Sequence, residues 1–516
     1  MKNIFNSIKI AKPKTSYFDL THDVKMSGKL GDLMPVMALE CLPGDKWEIG
    51  ADLLVKTAPM VAPIMHRVDV SVHYFFVPNR ITWANWERFI TNGSSTDGDV
   101  APVWPYLDID GTELPATQRL LDYMGIPPHI PGGTDGRISA LPLAAYNKIY
   151  SDYYRDQNLE PLIAPGLIYP GTILNDGNNS FQKADWGVRQ RSWEHDYFTS
   201  ALPWAQKGGE VVIPYNQEDL RIKFANASTN AVLTAAAPVG SVTVPFATSN
   251  NDQQTANTLF ADVSETANNA PSINDLRRAY KIQEWLEKNA RGGTRYIENI
   301  LIQFGVKSSD ARLQRAEYIT GVKSPIIISE VLNTSGNTSI DSPEQGNMSG
   351  HGVSVSGGNV GSYYCEEHGY IIGVMSIIPK PAYQQGIAKQ WLKNDPLDYA
   401  FPVFAHLGEQ PIQNQELYAY GTTPEATFGY TPRYSEYKFV NSRVAGDFRT
   451  TLDYWHLGRI FNSQPLLNKD FINVQPNDTR NIFGADDPEV TDSFYIHILN
   501  KIGTTRKLPK YGTPAW

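Results

Sequence analysis

Apolar residues occupy every second position from Val68 through Val70, Val72, Tyr74 and Phe76, the period of a strand with one buried face. Phe75 and Val77 make the other face apolar as well, so this strand is predicted to run between two layers until Pro78, which lacks a ladder donor, stops it. A helical period then takes over: Asn79 is a candidate N-cap, and Trp83, Trp86 and Ile90 recur at helical spacing until Asn92 and Gly93. Both tryptophans are read as core residues beneath that helix.

Short apolar runs and turn signals alternate over 17–55, with a turn at Pro43-Gly44-Asp45, and predict strands joined by hairpins. From Asp97 to Pro142 seven prolines break any long element, which predicts an irregular excursion. Tyr146, Ile149, Tyr150, Tyr153 and Tyr154 then share one face of an amphipathic helix expected to pack on a sheet. Residues 222–270 are rich in Ala, Asn, Thr and Ser, with no charge between Lys223 and Asp252, and are read as a surface insertion. A helix follows. Ser272 opens a variant capping box with Asp275; Leu276, Ala279, Tyr280, Gln283, Leu286 and Ala290 share a face, and Arg291-Gly292-Gly293 closes it. Strands return after Ile319, residues 333–362 read as a Gly/Ser/Asn-rich loop, and the unbroken apolar run Tyr370–Ile378 predicts a strand buried on both faces. No repeat period is present.

Candidate chemistry changes little. Glu194, His195 and Asp196 are adjacent, but neighbours on an extended chain point to opposite faces, and they are read as polar residues at a strand entry. The loop from Asp108 has glycine at its fourth position, where a calcium loop needs it at the sixth. The glycines of 333–362 match neither phosphate-binding pattern. No catalytic, metal or cofactor site is therefore expected. Cys41 and Cys365 have no ligand spacing and are read as buried thiols in a protein made in a reducing cytoplasm, with a single disulfide left open. No apolar run approaches a membrane span, and the N-terminus lacks the features of a signal peptide, so neither insertion nor secretion by that route is expected.

Charge is distributed unevenly. The net charge is −9 over 516 residues, yet Lys2, Lys9, Lys12 and Lys14 precede the first acid, and Lys501, Arg506, Lys507 and Lys510 follow the last. Each end carries +4, and the remaining 37 bases face 54 acids, a net of −17. Segments 1–18 and 493–516 are read as basic arms, either solvated tails or contacts to a polyanion, with those eight residues as candidate nucleic-acid contacts.

Several stretches together point to one family. LPGDKWEIGADLLVKTAP, MHRVDVSVHYFFVPNR, FDLTHDVKMSGKLGDLMP, YNKIYSDYYRDQNLEP, WEHDYFTSALPW, INDLRRAYKIQEWLEKNARGGTRYIE, SEYKFVNSRVAGDFR, LDYWHLGRIF and the ending KLPKYGTPAW resemble major capsid proteins of gokushoviruses, a group of microviruses, in the same order. The resemblance implies one domain over 1–516: a mainly β, eight-stranded antiparallel jelly roll with long helical insertions. It implies a T=1 icosahedral homo-oligomeric shell around circular single-stranded DNA, located in the virion and assembled in a bacterial cytoplasm. Further implied partners are a small basic DNA-binding protein, a scaffolding protein and a host-cell receptor reached through outer projections such as 222–270. Two other readings remain open: a jelly-roll glycosidase or carbohydrate-binding protein, which needs two positioned acids in a cleft, and a monomeric nucleic-acid-binding protein, which the acidic body disfavours.

Overall fold

The computed structural model describes residues 14–91, 102, 104–108, 115–127, 137–161, 186–209, 211, 222–224, 259–261, 273–293, 295–332, 348–357, 360–479, 482–484 and 491–511. The chain divides into two compact units, Gln206–Arg291 and the combined Met1–Ala205 and Gly292–Trp516.

Among the described residues of the larger unit, twelve strands form two antiparallel sheets. They are β1 (Ser16–Asp19), β2 (His22–Gly28), β3 (Asp32–Cys41), β4 (Lys46–Thr57), β5 (Val68–Pro78), β6 (Arg189–Gln190), β7 (Glu317–Pro325), β8 (Ile327–Leu332), β9 (Met348–Gly357), β10 (Gly361–Tyr364), β11 (Gly369–Pro379) and β12 (Phe494–Arg506). One sheet has seven strands in the order β1-β12-β4-β9-β8, with β2 also paired to β12 and β10 to β4; the other has five, β7-β5-β11-β3-β6.

The alternation at Val68 has its expected effect. Val70, Val72, Tyr74 and Phe76 of β5 join Met375 and Ile377 of β11, Val55 of β4 and Ile496 and Ile498 of β12 in one buried cluster. Each such side chain contributes about 1.5–3 kcal/mol on burial. Phe75 and Val77 point the other way, into a second cluster with Trp83, Leu141, Tyr146 and Ile149. β5 is thus covered on both sides, and β11 is buried along most of its length as the apolar run required. A polar link crosses the first core: Tyr74 Oη donates to Asn500 Oδ1 at 2.7 Å, and Asn500 Nδ2 donates to the Val36 carbonyl at 3.1 Å. Asn500 is fully buried, so its amide fixes one register between facing sheets.

The helix after Pro78 is interrupted. α1 (Asn79–Thr82) stops at Trp83, whose φ of −142° and ψ of 114° are extended, and α2 (Trp86–Ile90) starts anew. Asn79 lies inside α1, and Pro78 takes the cap position without a side-chain hydrogen bond. The break lets Trp83 and Trp86 both reach the second core, where their rings stand 6.5 Å apart. The closing Asn92 and Gly93 lie outside the described residues.

α3 (Pro115–Tyr123) precedes the aromatic helix, which starts as α4 (Leu141–Ile149) and widens into a π turn over Tyr150–Tyr154. The wider turn brings Tyr153 Oη to the Ala316 carbonyl at 2.7 Å and Tyr154 Oη to His73 Nδ1 at 2.7 Å. Spacings of three and four fit a regular helix equally well, so the widening left no mark on the pattern.

Other expectations need correction. Met348–Gly357, inside 333–362, and Gly361–Tyr364, across its end, are strands β9 and β10. A Cβ on Gly350 would lie 2.7 Å from the Ala62 carbonyl oxygen, and one on Gly352 2.7 Å from Thr57 Cγ2, so these glycines permit close approach within a sheet. The basic arms shrink too, because Ser16–Asp19 pairs with Gly503–Arg506 and 494–506 is a strand beside β4.

In the smaller unit, Ile222–Phe224 pairs antiparallel with Leu259–Ala261, and α5 (Ile273–Gly292) carries Asp275 in its first turn. Ser272, its expected cap, lies outside the described residues. Gly293 has φ +100°, as a glycine stop requires. The sequence reading missed α6 (Tyr296–Phe304), whose apolar residues follow too soon after that stop to show a separate period.

Tyr74→Phe leaves the buried Asn500 oxygen without its donor and is expected to cost about 1–3 kcal/mol. Urea unfolding checks this; an unchanged midpoint contradicts the role given to the link.

Candidate assembly and nucleic-acid surfaces

The eight basic candidates do not form one class. Lys2, Lys9 and Lys12 lie outside the described residues. Lys14 is exposed before β1. Lys501 projects from β12 and pairs with Asp52 at 2.5 Å on the open face of the seven-stranded sheet. Arg506 ends the same strand: its Nε donates to Asp45 Oδ2 at 2.9 Å, and its guanidinium lies 4.9 Å from the Trp47 ring centroid. Asp45 is fully buried, so Arg506 neutralises an internal carboxylate and is not available to an external anion. Lys507 lies over the Pro43-Gly44 turn, where Gly44 has φ +92° and a Cβ would meet Lys507 Nζ at 2.6 Å. Lys507 and Lys510 are exposed.

The carboxylates considered for catalysis are structural. Asp196 is buried and accepts from the amides of Phe198 and Thr199 and from Tyr383 Oη at 2.7 Å. Glu194 pairs with Lys323 at 2.6 Å and with Lys380, and both lysines also hold Asp69, at 3.0 and 3.2 Å. Burial alone would raise the Glu194 carboxyl; the hydrogen bonds from Lys323 and Lys380 outweigh it and bring it to about 2. Such a group neither gives nor takes a proton near neutrality.

A cavity of about 690 Å³ opens against β2, β12 and α3, lined in part by Asp122, Asp492, Arg119 and Tyr495. Asp492 accepts from Arg119 Nη2 at 2.6 Å and from Ser27 Oγ. Asp32, behind it, accepts from Gln190 at 2.7 Å and faces Arg119 at 3.6 Å. Burial pushes the Asp32 carboxyl up to about 6 against the pull of Arg119. These groups tie α3 to the sheets, and Asp32 does not line the cavity. Among the described residues no group of three or more His, Cys, Asp or Glu could hold a metal ion; the calcium-like loop is described only as far as Asp108. Cys41 and Cys365 are free, buried thiols, and burial raises the Cys41 thiol. No described helix is long and apolar enough to cross a membrane.

What the surface does offer is apolar. α6 buries none of its residues although its sequence is YIENILIQF: Tyr296 is 70% exposed and Phe304 75%. A second group, between Trp391 and Val440, is equally open. Exposed apolar groups of this size mark contact surfaces, and composition alone did not single them out.

The family described as Capsid protein (F protein) matches residues 6–516. The chain belongs to that family. Capsid protein VP1 of Chlamydia phage 1 is 32% identical over 593 residues, covering 100% of this chain and 98% of the relative. Capsid protein VP1 of Bdellovibrio phage phiMH2K is 35% identical over 531 residues, with 97% and 95% covered. Capsid protein VP1 of Spiroplasma virus 4 is 29% identical over 535 residues, with the same shares. These relatives are gokushovirus-like microviruses, and the capsid protein described here has a major structural role.

Arg506→Gln strands the buried Asp45 carboxylate and is expected to destabilise the fold by about 3 kcal/mol. Lys507→Gln and Lys510→Gln, at exposed positions, should change stability by less than about 0.5 kcal/mol. Urea unfolding of the three variants checks the division; equal losses contradict it.

Proposed function

We propose that this capsid protein is an eight-stranded jelly roll that assembles into a T=1 icosahedral shell around circular single-stranded DNA. The fold reading is supported by nested pairing. Taking β2, β3, β4, β5, β7, β9, β11 and β12 as the eight strands, the first pairs with the last (β2 with β12), the second with the seventh (β3 with β11), the third with the sixth (β4 with β9), and the fourth with the fifth (β5 with β7). A long hairpin rolled on itself produces this nesting, and it divides the eight strands between two facing sheets.

The observation that carries the assembly reading is α6, an apolar helix none of whose residues is buried among the described residues. An exposed helix of that composition is stabilised by a neighbour, and in a shell the neighbour is another copy. Lys2, Lys9, Lys12, Lys14, Lys507 and Lys510 are assigned to the DNA side, where copy number multiplies weak, salt-sensitive phosphate contacts; Lys501 and Arg506 serve the sheet. Residues 222–270 are assigned to a variable surface insertion, in keeping with their membership of a separate compact unit. A small basic DNA-binding protein, a scaffolding protein and a host receptor complete the proposed partners. The virion is the proposed location, after assembly in the host bacterial cytoplasm. That Asp196, Glu194 and Asp492 are all engaged as acceptors supports the capsid reading over the glycosidase one.

Electron microscopy of the purified protein, alone and with single-stranded DNA, tests the reading. Closed shells of one size, with nuclease-protected DNA inside, are the expected outcome. Dispersed monomers that turn over a glycan would overturn it.

A further inference from the structure

We infer that the segment from Trp391 to Leu407, together with Tyr437 to Val440, is a preformed docking surface for a second copy of this chain. The inference rests on the shell reading above. Trp391 is 75% exposed, Val403 82% and Val440 86%, and Leu397, Tyr399 and Tyr437 are more than half exposed. Aromatic side chains carry ~150–250 Å² each, so the open area of this group is on the order of 1,000 Å². One partner's share of a standard interface is about 800 Å². The summed open area of these side chains reaches that share.

Its backbone is fixed largely by its own turns. Asp398 Oδ2 accepts from the amides of Asn394 and Asp395, both at 2.9 Å, and Asp395 Oδ1 accepts from the Leu397 amide at 2.8 Å. Lys393 is the internal strut. Its Nζ lies 4.0 Å from the Tyr437 ring centroid and 5.4 Å from that of Tyr399, donates to Tyr437 Oη at 2.7 Å, and pairs with Glu436 at 3.4 Å. Both charged side chains are nearly buried, so the two tyrosines are joined into one surface from below. Rigid aromatic residues that lose little freedom on contact are the usual energetic centre of an interface.

The charge pattern selects the occupant. Lys393 is committed to Glu436, Lys389 pairs with Glu416 at 3.4 Å, and Lys438 Nζ donates to the Arg433 carbonyl at 2.9 Å. A nucleic acid would find these local lysines already engaged. What is left is an apolar centre with few free charges, the composition of a subunit contact. In a capsid protein the partner present at highest concentration is the chain itself. A patch here and a different apolar face on α6 give the unlike, head-to-tail contacts from which closed rings are built.

Two measurements on the full-length protein test this. Trp391→Ala and, separately, Val403→Asp should keep the wild-type circular dichroism and melting temperature, because neither side chain packs in a core. Each should raise the concentration needed for assembly by about tenfold or more, while Glu425→Gln, at an exposed site elsewhere, should not. Hydroxyl-radical footprinting should show Trp391, Tyr399 and Val403 protected in shells relative to unassembled subunits. Normal assembly of both variants with no change in footprint overturns the inference and leaves the shell reading standing. Protection found in virions but absent from shells made of this chain alone also overturns it, and assigns the patch to another virion component. A wild-type protein that never forms shells rejects the shell reading itself.

Discussion

The sheets of this capsid protein face each other across one buried amide. Asn500 sits near the middle of β12 and reaches both Tyr74 of β5 and the backbone of β3, so the last strand of the chain specifies how the two layers stack. β12 also lies between β2 and β4, pairing with β4 from Phe494 to Thr505. Residues 22–57 therefore complete their ladder only after some 440 further residues have been made. Pairings of such long separation make closure entropy costly and folding slow. They also make the terminal strand, often the first part of a chain to fray, a central element here.

The parts of this arrangement set by local period were legible in the sequence. The alternation from Val68 to Phe76 and the unbroken run from Tyr370 to Ile378 each became the strand their pattern required. Turn chemistry was equally readable at Pro43-Gly44, where a positive φ needs glycine. Parts decided by distant partners were not legible. Gly350 and Gly352 read as loop residues because the Ala62 and Thr57 atoms pressed against them come from far along the chain. Lys501 and Arg506 read as a tail because positive charge at a terminus gives no hint that Asp52 and Asp45 lie opposite. The π turn at Tyr150 was hidden because the aromatic spacing of three and four is that of a regular helix.

The same distinction separates stability from function. Charges that looked chemical, Glu194 and Asp196 above all, are absorbed by Lys323, Lys380, Tyr383 and nearby backbone amides, and they hold loops to the sheets. Among the described residues, large apolar side chains stand open in two places: α6 and the surface from Trp391 to Val440. Apolar groups presented outward are what a subunit that completes its hydrophobic burial by association carries.

Native-state hydrogen exchange of the unassembled protein tests the role of the terminal strand most directly. If β12 closes the core, amides from Ile496 to Thr504 should exchange only through global unfolding, as slowly as those of β5 and β11. Exchange of these amides at the rate of the exposed Lys507 to Tyr511 segment, with β5 still protected, would contradict the account.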